Sequence, residues 1–261
     1  MIGIVGGIGP YAGVNLLESI YDNTLAKKDQ EYINSLLFSL SSNIEDRTEF
    51  LLGHTTKNPG YDMAEIIVTL EALGATVAGI PCNTAHSPGI FSVIMEELDK
   101  NGSQIEVLHM IDETIDFIKV HFSHFKKIGV LSTTGTYKYK LYTNALEANG
   151  YESVEPSSRI QEEIVHPAIY HPEYGIKSTA RPFHPQAGKN LDMAIDYLKS
   201  RGAEAVILGC TEIPLVIKTD TVKGLTVINP TNVLARALVR RVDADKLKPF
   251  HAPGRESCNA L

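Results

Sequence analysis

The chain carries one pattern twice. Leu70, Gly74, Ala75 and Cys82 recur as Leu198, Gly202, Ala203 and Cys210, and each glycine stands 8 residues before its cysteine. The opening segment, Ile2 to Gly9, has a counterpart in the run from Lys127 to Thr136, which again joins a β-branched stretch to a small-residue turn. The offset is 126 residues from Gly3 to Gly129 and 128 from Cys82 to Cys210. Agreement at both places points to an internal duplication. The chain is thus restricted to two copies of one folding unit.

The unit is legible in the first half. Ile2–Val5 reads as a strand, Gly6-Gly7-Ile8-Gly9-Pro10 as a turn, and the apolar-periodic stretch to about residue 26 as a helix, with Pro10 suited to its first turn. Strands are predicted around 33–40, 76–80 and 105–109, with a helix near 62–73 and another opened by Asp112. Strands alternating with helices at this spacing indicate an α/β fold with a parallel sheet. The predicted division is a first lobe over 1–113, a second over 114–225, and a return of 226–261 to the first lobe through a short strand, the helix 231–242 and a poorly ordered tail from Lys248.

In open parallel sheets, ligands collect outside the carboxyl ends of the strands. Cys82 and Cys210 each end the equivalent strand of their half, so two lobes packed face to face direct both thiols into one cleft. Taken singly, a cysteine at a strand end reads as a core residue; a duplicated pair reads as a proton donor and a proton acceptor on opposite faces of one carbon. A free thiol is only a few per cent ionised at neutral pH. The strand-to-helix junctions supply amides that favour negative charge. His86 and Glu212, close in sequence to their cysteines, are candidate proton partners, although His86 also reads as a local cap or packing residue.

The motifs Pro81-Cys82-Asn83-Thr84-Ala85-His86, Leu208-Gly209-Cys210-Thr211-Glu212-Ile213-Pro214, Gly6-Gly7-Ile8-Gly9-Pro10 and Asp46-Arg47-Thr48 together resemble the aspartate/glutamate racemase family, over nearly the whole chain. The opening is similar to its aspartate racemase branch. The resemblance implies two pseudo-symmetric Rossmann-like lobes with the active site between them, and racemisation of aspartate or glutamate by two cysteines. It also implies no pyridoxal phosphate or other cofactor, no metal and a homodimer. It assigns Asn83, Thr84 and Thr211 to the substrate's α-carboxylate and amino group, and Arg47 and Lys177 to its side-chain carboxylate, which a planar guanidinium grips with two parallel hydrogen bonds. Asp46 polarises Cys82 or braces Arg47, and Gly9 and Pro10 shape the opening turn.

Residues 163–188 depart from the family pattern. Three His-Pro pairs (His166, His171 and His184 with their prolines) argue against a regular helix and for an ordered loop over the cleft. Their spacing does not match a zinc site.

Composition narrows the alternatives. A net charge of −7 argues against nucleic-acid or anionic-membrane partners. No apolar run approaches a membrane span. The glycine-broken start is not a signal peptide, so with three cysteines the reading is a cytoplasmic protein without structural disulfides. Gly7-Ile8-Gly9 followed by Pro10-Tyr11-Ala12 satisfies a dinucleotide fingerprint, but the second strand ends in Ser41-Ser42-Asn43 where that reading needs a ribose-binding acid. Two further alternatives stand: an isomerase or decarboxylase of the same superfamily acting on another carboxylic acid, and a non-catalytic amino-acid-binding clamp.

Overall fold

A computed structural model describes residues 1–252. The first lobe contains β1 (Ile2–Gly6), α1 (Pro10–Asp22), β2 (Ser35–Ser39), α2 (Arg47–Leu51), α3 (Gly60–Ala72), β3 (Val77–Gly79), α4 (Pro88–Lys100) and β4 (Glu106–Leu108). The chain crosses over through α5 (Met110–His121) to β5 (Lys127–Ser132), α6 (Thr134–Lys138), α7 (Leu141–Ala148) and β6 (Glu152–Val154). There follow α8 (Ser158–Ile160), a π-helical stretch (Gln161–Val165), α9 (His166–Tyr170), α10 (Pro185–Ser200), β7 (Ala205–Gly209), β8 (Thr221–Val222), β9 (Leu225–Ile228) and α11 (Pro230–Val242).

The sheets run β2-β1-β3-β4 and β6-β5-β7-β9-β8, all parallel except the β8–β9 pair. Apart from β8 the two orders are the same, and the repeated residues show why. In each lobe a leucine from the preceding helix and an alanine pack where a side chain on the first strand's glycine would stand: Leu70 and Ala75 on Gly3, Leu198 and Ala203 on Gly129. Gly74 and Gly202 lie just beyond α3 and α10 with φ of +97° and +89°, the left-handed conformation that lets a helix stop and turn into a strand. The duplicated pattern is therefore a helix-to-strand corner.

Each sheet is buried on both faces. The first lies between α3/α4 and α1/α11; the second lies between α9/α10 and α5/α7. Each lobe thus lends its last helix to the other: α5 covers the second sheet and α11 covers the first. The predicted return at residue 226 is corrected by strand pairing, since β9 hydrogen-bonds β7 from Ala205↔Thr226 to Ile207↔Ile228 and only the following helix crosses back. The expected tail also starts too early. The Lys248 amide bonds the Asn23 carbonyl, Arg236 donates to the Lys248 carbonyl, and Phe250 packs edge-on against Phe117 and Phe122. The remainder of that prediction, with Cys258, lies outside the described residues. Among the described residues, no helix is long and apolar enough to cross a membrane.

A third expectation fails at Glu163–Tyr170, which is helical. The π stretch shifts the hydrogen-bonding register, the His166 amide bonding the Gln161 carbonyl, so that Pro167 falls in the first turn of α9 where its missing N–H is harmless. Pro185 opens α10 in the same way. Between them, residues 171–184 form the irregular crossing segment.

Candidate active site

Cys82 follows β3 and opens a short 3₁₀ turn, Asn83–His86; Cys210 follows β7 directly. The thiols are 7% and 3% exposed and unpaired with any other described cysteine. One from each lobe, they line a single cavity of about 10 Å³, the space of about one water molecule. Asp46, Arg47, Asn83, Thr84, Lys177, Thr211 and Glu212 line it as well, so most of the sequence-predicted site converges.

The thiols have opposite neighbours. Arg47 begins α2, with Asp46 as its cap: Asp46 Oδ1 accepts the amides of Thr48 and Glu49 at 2.7 and 3.1 Å. That cap fixes the direction in which Arg47 enters the cavity. Its Nη1 donates to the Glu45 carbonyl at 2.9 Å, Asp46 Oδ2 lies 3.9 Å from Nη2, and the buried Nε has no protein partner. Burial opposes the guanidinium charge, yet the Cys82 sulphur, Asp46 and Tyr170 together hold it above the ordinary arginine range. For Asp46, burial works against ionisation, while Arg47, Lys177 and the two amides prevail and keep its carboxyl below the usual range.

Cys210 faces a carboxylate. Its thiol donates to Glu212 Oε2 at 3.1 Å, and burial and then the Glu212 charge push the thiol well above its ordinary range despite Lys177 nearby. Lys177 Nζ lies 3.5 Å from Glu212 Oε1 and 5.3 Å from the centre of the Tyr170 ring. Burial works against its charge, while Glu212 and Tyr170 hold it above the usual lysine range. A side chain on Gly9 (φ +113°) would collide with Glu212 Oε1, so the opening turn admits only glycine where the second lobe's carboxylate presses on it.

Hydrogen-bonding groups complete the lining. Asn83 Oδ1 accepts from Tyr142 at 2.6 Å, which leaves its buried Nδ2 with no protein acceptor. Thr84 bonds Thr133 and Thr136 at 2.9 and 3.0 Å. Thr211 donates to the Pro81 carbonyl at 3.1 Å, joining the two cysteine loops.

Two supporting predictions change. His86 lies behind the Cys82 loop: Nδ1 meets the Cys82 carbonyl at 2.9 Å, and the ring stacks on Phe91 and meets His109 edge-on. Burial, then His109, lowers its pKa to about 3, so it is a neutral brace and does not face the thiol. Pro10 occupies the first turn of α1 outside the cavity. Sequence reasoning missed Thr48, Thr133 and Tyr170. Thr133 follows β5 as the glycine turn follows β1, a placement the duplication carries. Tyr170, which donates to Thr48 across the lobes at 3.0 Å, has no sequence signal.

The histidines of 163–188 act locally. His166 bonds Thr134, His171 stacks on Tyr174 and accepts the Glu173 amide, and His184 caps α10. Among the described residues no group of three metal-ligating side chains converges. The crossing segment reaches the first lobe at Tyr11, which Phe183 meets edge-on at 5.9 Å and Arg181 covers at 5.2 Å. Glu212 Oε1 lies against Gly9 of the opening turn, where the dinucleotide reading needs a pyrophosphate. A larger cavity of about 720 Å³, bordered by Asn15, Asn232, Arg236 and Phe250, contains neither thiol and none of the converging charges.

The model of a family described as Asp/Glu/Hydantoin racemase matches residues 5–238. The broad specificity amino-acid racemase RacX of Bacillus subtilis is 26% identical over 248 residues, covering 92% of this chain and 96% of that protein. The structure of the Picrophilus torridus aspartate racemase superposes with a TM-score of 0.77 at 28% identity, covering 95% of each chain. A glutamate racemase from Francisella tularensis, solved in complex with D-glutamate, has a TM-score of 0.61 at 17% identity over 97% of this chain and 84% of that one, a likeness of fold alone.

Proposed function

Since the chain belongs to the Asp/Glu/Hydantoin racemase family, we propose that it racemises an acidic amino acid, aspartate before glutamate, by moving a proton across Cα between Cys82 and Cys210 without a cofactor. The observation that carries this reading is the pairing of one thiol from each lobe across one cavity, with a cation beside the first and a carboxylate beside the second.

A guanidinium favours a thiolate and a carboxylate favours a thiol. In the forward direction Cys82, as thiolate, takes the Cα proton. The electron pair passes into the α-carboxylate, and the Cys210 S–H gives its proton to the opposite face. In reverse, both thiols start protonated: Glu212 receives the Cys210 proton, Cys210 takes the Cα proton as the base, and the Cys82 S–H gives its proton to the opposite face, leaving the Cys82 thiolate beside Arg47. The unpaired Asn83 Nδ2 supports a role in holding the α-carboxylate as negative charge builds on it, and the hydroxyls of Thr84 and Thr211 join it by exchanging their present partners, Thr133 and Thr136 and the Pro81 carbonyl. Arg47 Nε and Lys177 are the cations available to a side-chain carboxylate.

The cavity is smaller than any amino acid, so the lobes or the crossing segment part to admit substrate and close to exclude water. The test is incubation of both enantiomers of aspartate, glutamate and neutral amino acids in heavy water. Deuterium at Cα and loss of optical activity are expected together, and Cys82→Ala or Cys210→Ala should each reduce racemisation by about 10²–10⁴-fold or more. If wild-type protein exchanges no α-proton, the proposal is wrong.

A further inference from the structure

Tyr142 reaches both cysteine loops from outside the cavity. It stands on α7 of the second lobe, 1% exposed, with its ring in the apolar layer that includes Ile115, Leu146 and Ile207. Its hydroxyl crosses to the first lobe and donates to Oδ1 of Asn83, the residue after Cys82, at 2.6 Å. Its ring edge lies against Gly209, the residue before Cys210, where an added Cβ would stand 3.1 Å from Tyr142 Cε2. Asn83, Gly209 and both thiols line the cavity, and Tyr142 stands behind them.

The hydroxyl decides which end of the Asn83 amide the cavity meets. A contact of 2.6 Å has the length of an O–H···O bond and is shorter than N–H···O bonds run, so the amide oxygen is the atom that faces the phenol. Burial holds the phenol above the ordinary tyrosine range, so it stays protonated and remains a donor. With Oδ1 engaged, Nδ2 is left as a buried donor with no protein acceptor among the described residues. Without the phenol, the amide could present its oxygen to the cavity as readily as its nitrogen.

We propose that Tyr142 is a positioning residue of the proton-transfer site, locking the Asn83 amide with its N–H donors toward the substrate while its ring backs the Gly209–Cys210 chain. The inference rests on the racemase reading above and adds to it a residue outside the cavity. Its chemical sense follows from charge. As the Cα proton passes to a cysteine sulphur, the electron pair of the broken C–H bond enters the α-carboxylate. An amide N–H beside that carboxylate stabilises the added charge, and an amide oxygen in the same place repels it. A donor fixed inward beforehand needs no reorientation while the proton moves. Tyr142 therefore acts on turnover through Asn83, without touching the reacting atoms. Glycine at 209 is what lets the ring come close enough to do so.

The experiment follows Cα deuterium exchange of aspartate in wild type, Tyr142→Phe, Asn83→Ala and the double variant, with a melting curve for each. Tyr142→Phe keeps the ring on Gly209 and removes the hydroxyl alone, so it should melt within a few degrees of wild type. Its kcat/KM should fall about tenfold, the scale of losing one hydrogen bond to a buried group. The loss should lie mostly in kcat, because the charge that Asn83 meets builds only in the transition state. In the Asn83→Ala background the same change should matter by less than about twofold, since the hydroxyl then has no amide to hold. Asn83→Asp keeps an acceptor for the phenol but loses the N–H donors, and it should lose at least as much activity as Asn83→Ala. If Tyr142→Phe stays within about twofold of wild type, or costs as much without Asn83 as with it, Tyr142 is a packing residue and the inference is overturned. Near-wild-type exchange by Asn83→Asp overturns it too. Absence of exchange with every amino acid in wild type is a different failure, that of the racemase reading itself.

Discussion

The neighbours of the two thiols differ in sign, and under the proposed two-thiol mechanism that difference has kinetic consequences at the level of single residues. Enantiomers have equal free energy, so kcat/KM must be the same in both directions whatever the site's asymmetry. The asymmetry therefore surfaces in kcat and KM separately: the enantiomer whose Cα proton faces Cys82 and the one facing Cys210 should differ in both, with the ratio preserved. Full progress curves from each enantiomer test this. Glu212→Gln removes the carboxylate that accepts the Cys210 thiol hydrogen bond and, on the proposed mechanism, should lower kcat/KM equally in both directions, by about 10²-fold or more. His86 belongs to stability. Its pKa is near 3 in the fold and 6.5 unfolded. Between those values the unfolded chain binds a proton that the native chain does not, so stability falls as pH drops below about 6.5, with a slope of about 1.4 kcal/mol per pH unit. Above that range the contribution is flat. Denaturant titrations from pH 7 to pH 4 should show this slope reduced in His86→Gln.

At the scale of elements, the exchanged helices hold the thiols in place. α11 crosses β3 so closely that a Cβ on Gly79 would lie 2.7 Å from the Leu238 side chain, three residues before Cys82. Gly79→Ala should cost about 1–3 kcal/mol by overpacking and should shift the Cys82 loop, lowering both melting temperature and kcat. The crossing segment is the more separable element. Its grip on the first lobe at Tyr11 involves neither thiol, and Tyr11→Ala should admit water to the cavity and raise KM and lower kcat while leaving the melting temperature within a few degrees. A calorimetric scan beside the exchange assay separates these outcomes.

For the molecule as a whole, two lobes meet at small polar contacts, namely Thr211 with Pro81, Thr84 with Thr133 and Tyr170 with Thr48. They are tied together behind the cavity by the traded helices α5 and α11. Hydroxyl contacts beside the cavity, with Phe183 and Arg181 on Tyr11, and apolar helix packing behind it hold the two lobes together. The C-terminal segment packs on this helix layer through Arg236 and Phe250, the guanidinium lying 5.5 Å from the ring centre.

The sequence by itself determined the repeating unit, the parallel α/β lobes and the two thiols at equivalent strand ends. These follow from local rules, namely periodicity, glycine corners and a duplication that copies every local rule twice. The family resemblance marked Arg47, Asn83, Thr84, Lys177 and Thr211, and closeness to Cys210 marked Glu212. What needed the tertiary structure was every relation between distant segments. The sequence could not tell that His86 turns away from its cysteine while Glu212 turns toward its own, since a ring four residues on and a carboxylate two residues on obey the same local chemistry. Burial against Phe91 decided the first; the Cys210 thiol and the charge of Lys177 decided the second. Nor could it place the chain's return at Asn229 rather than at 226, because a strand's partner is chosen by sheet register. Tyr170 had no pattern to betray it, and entered the cavity only because a π turn and a proline set the direction of α9.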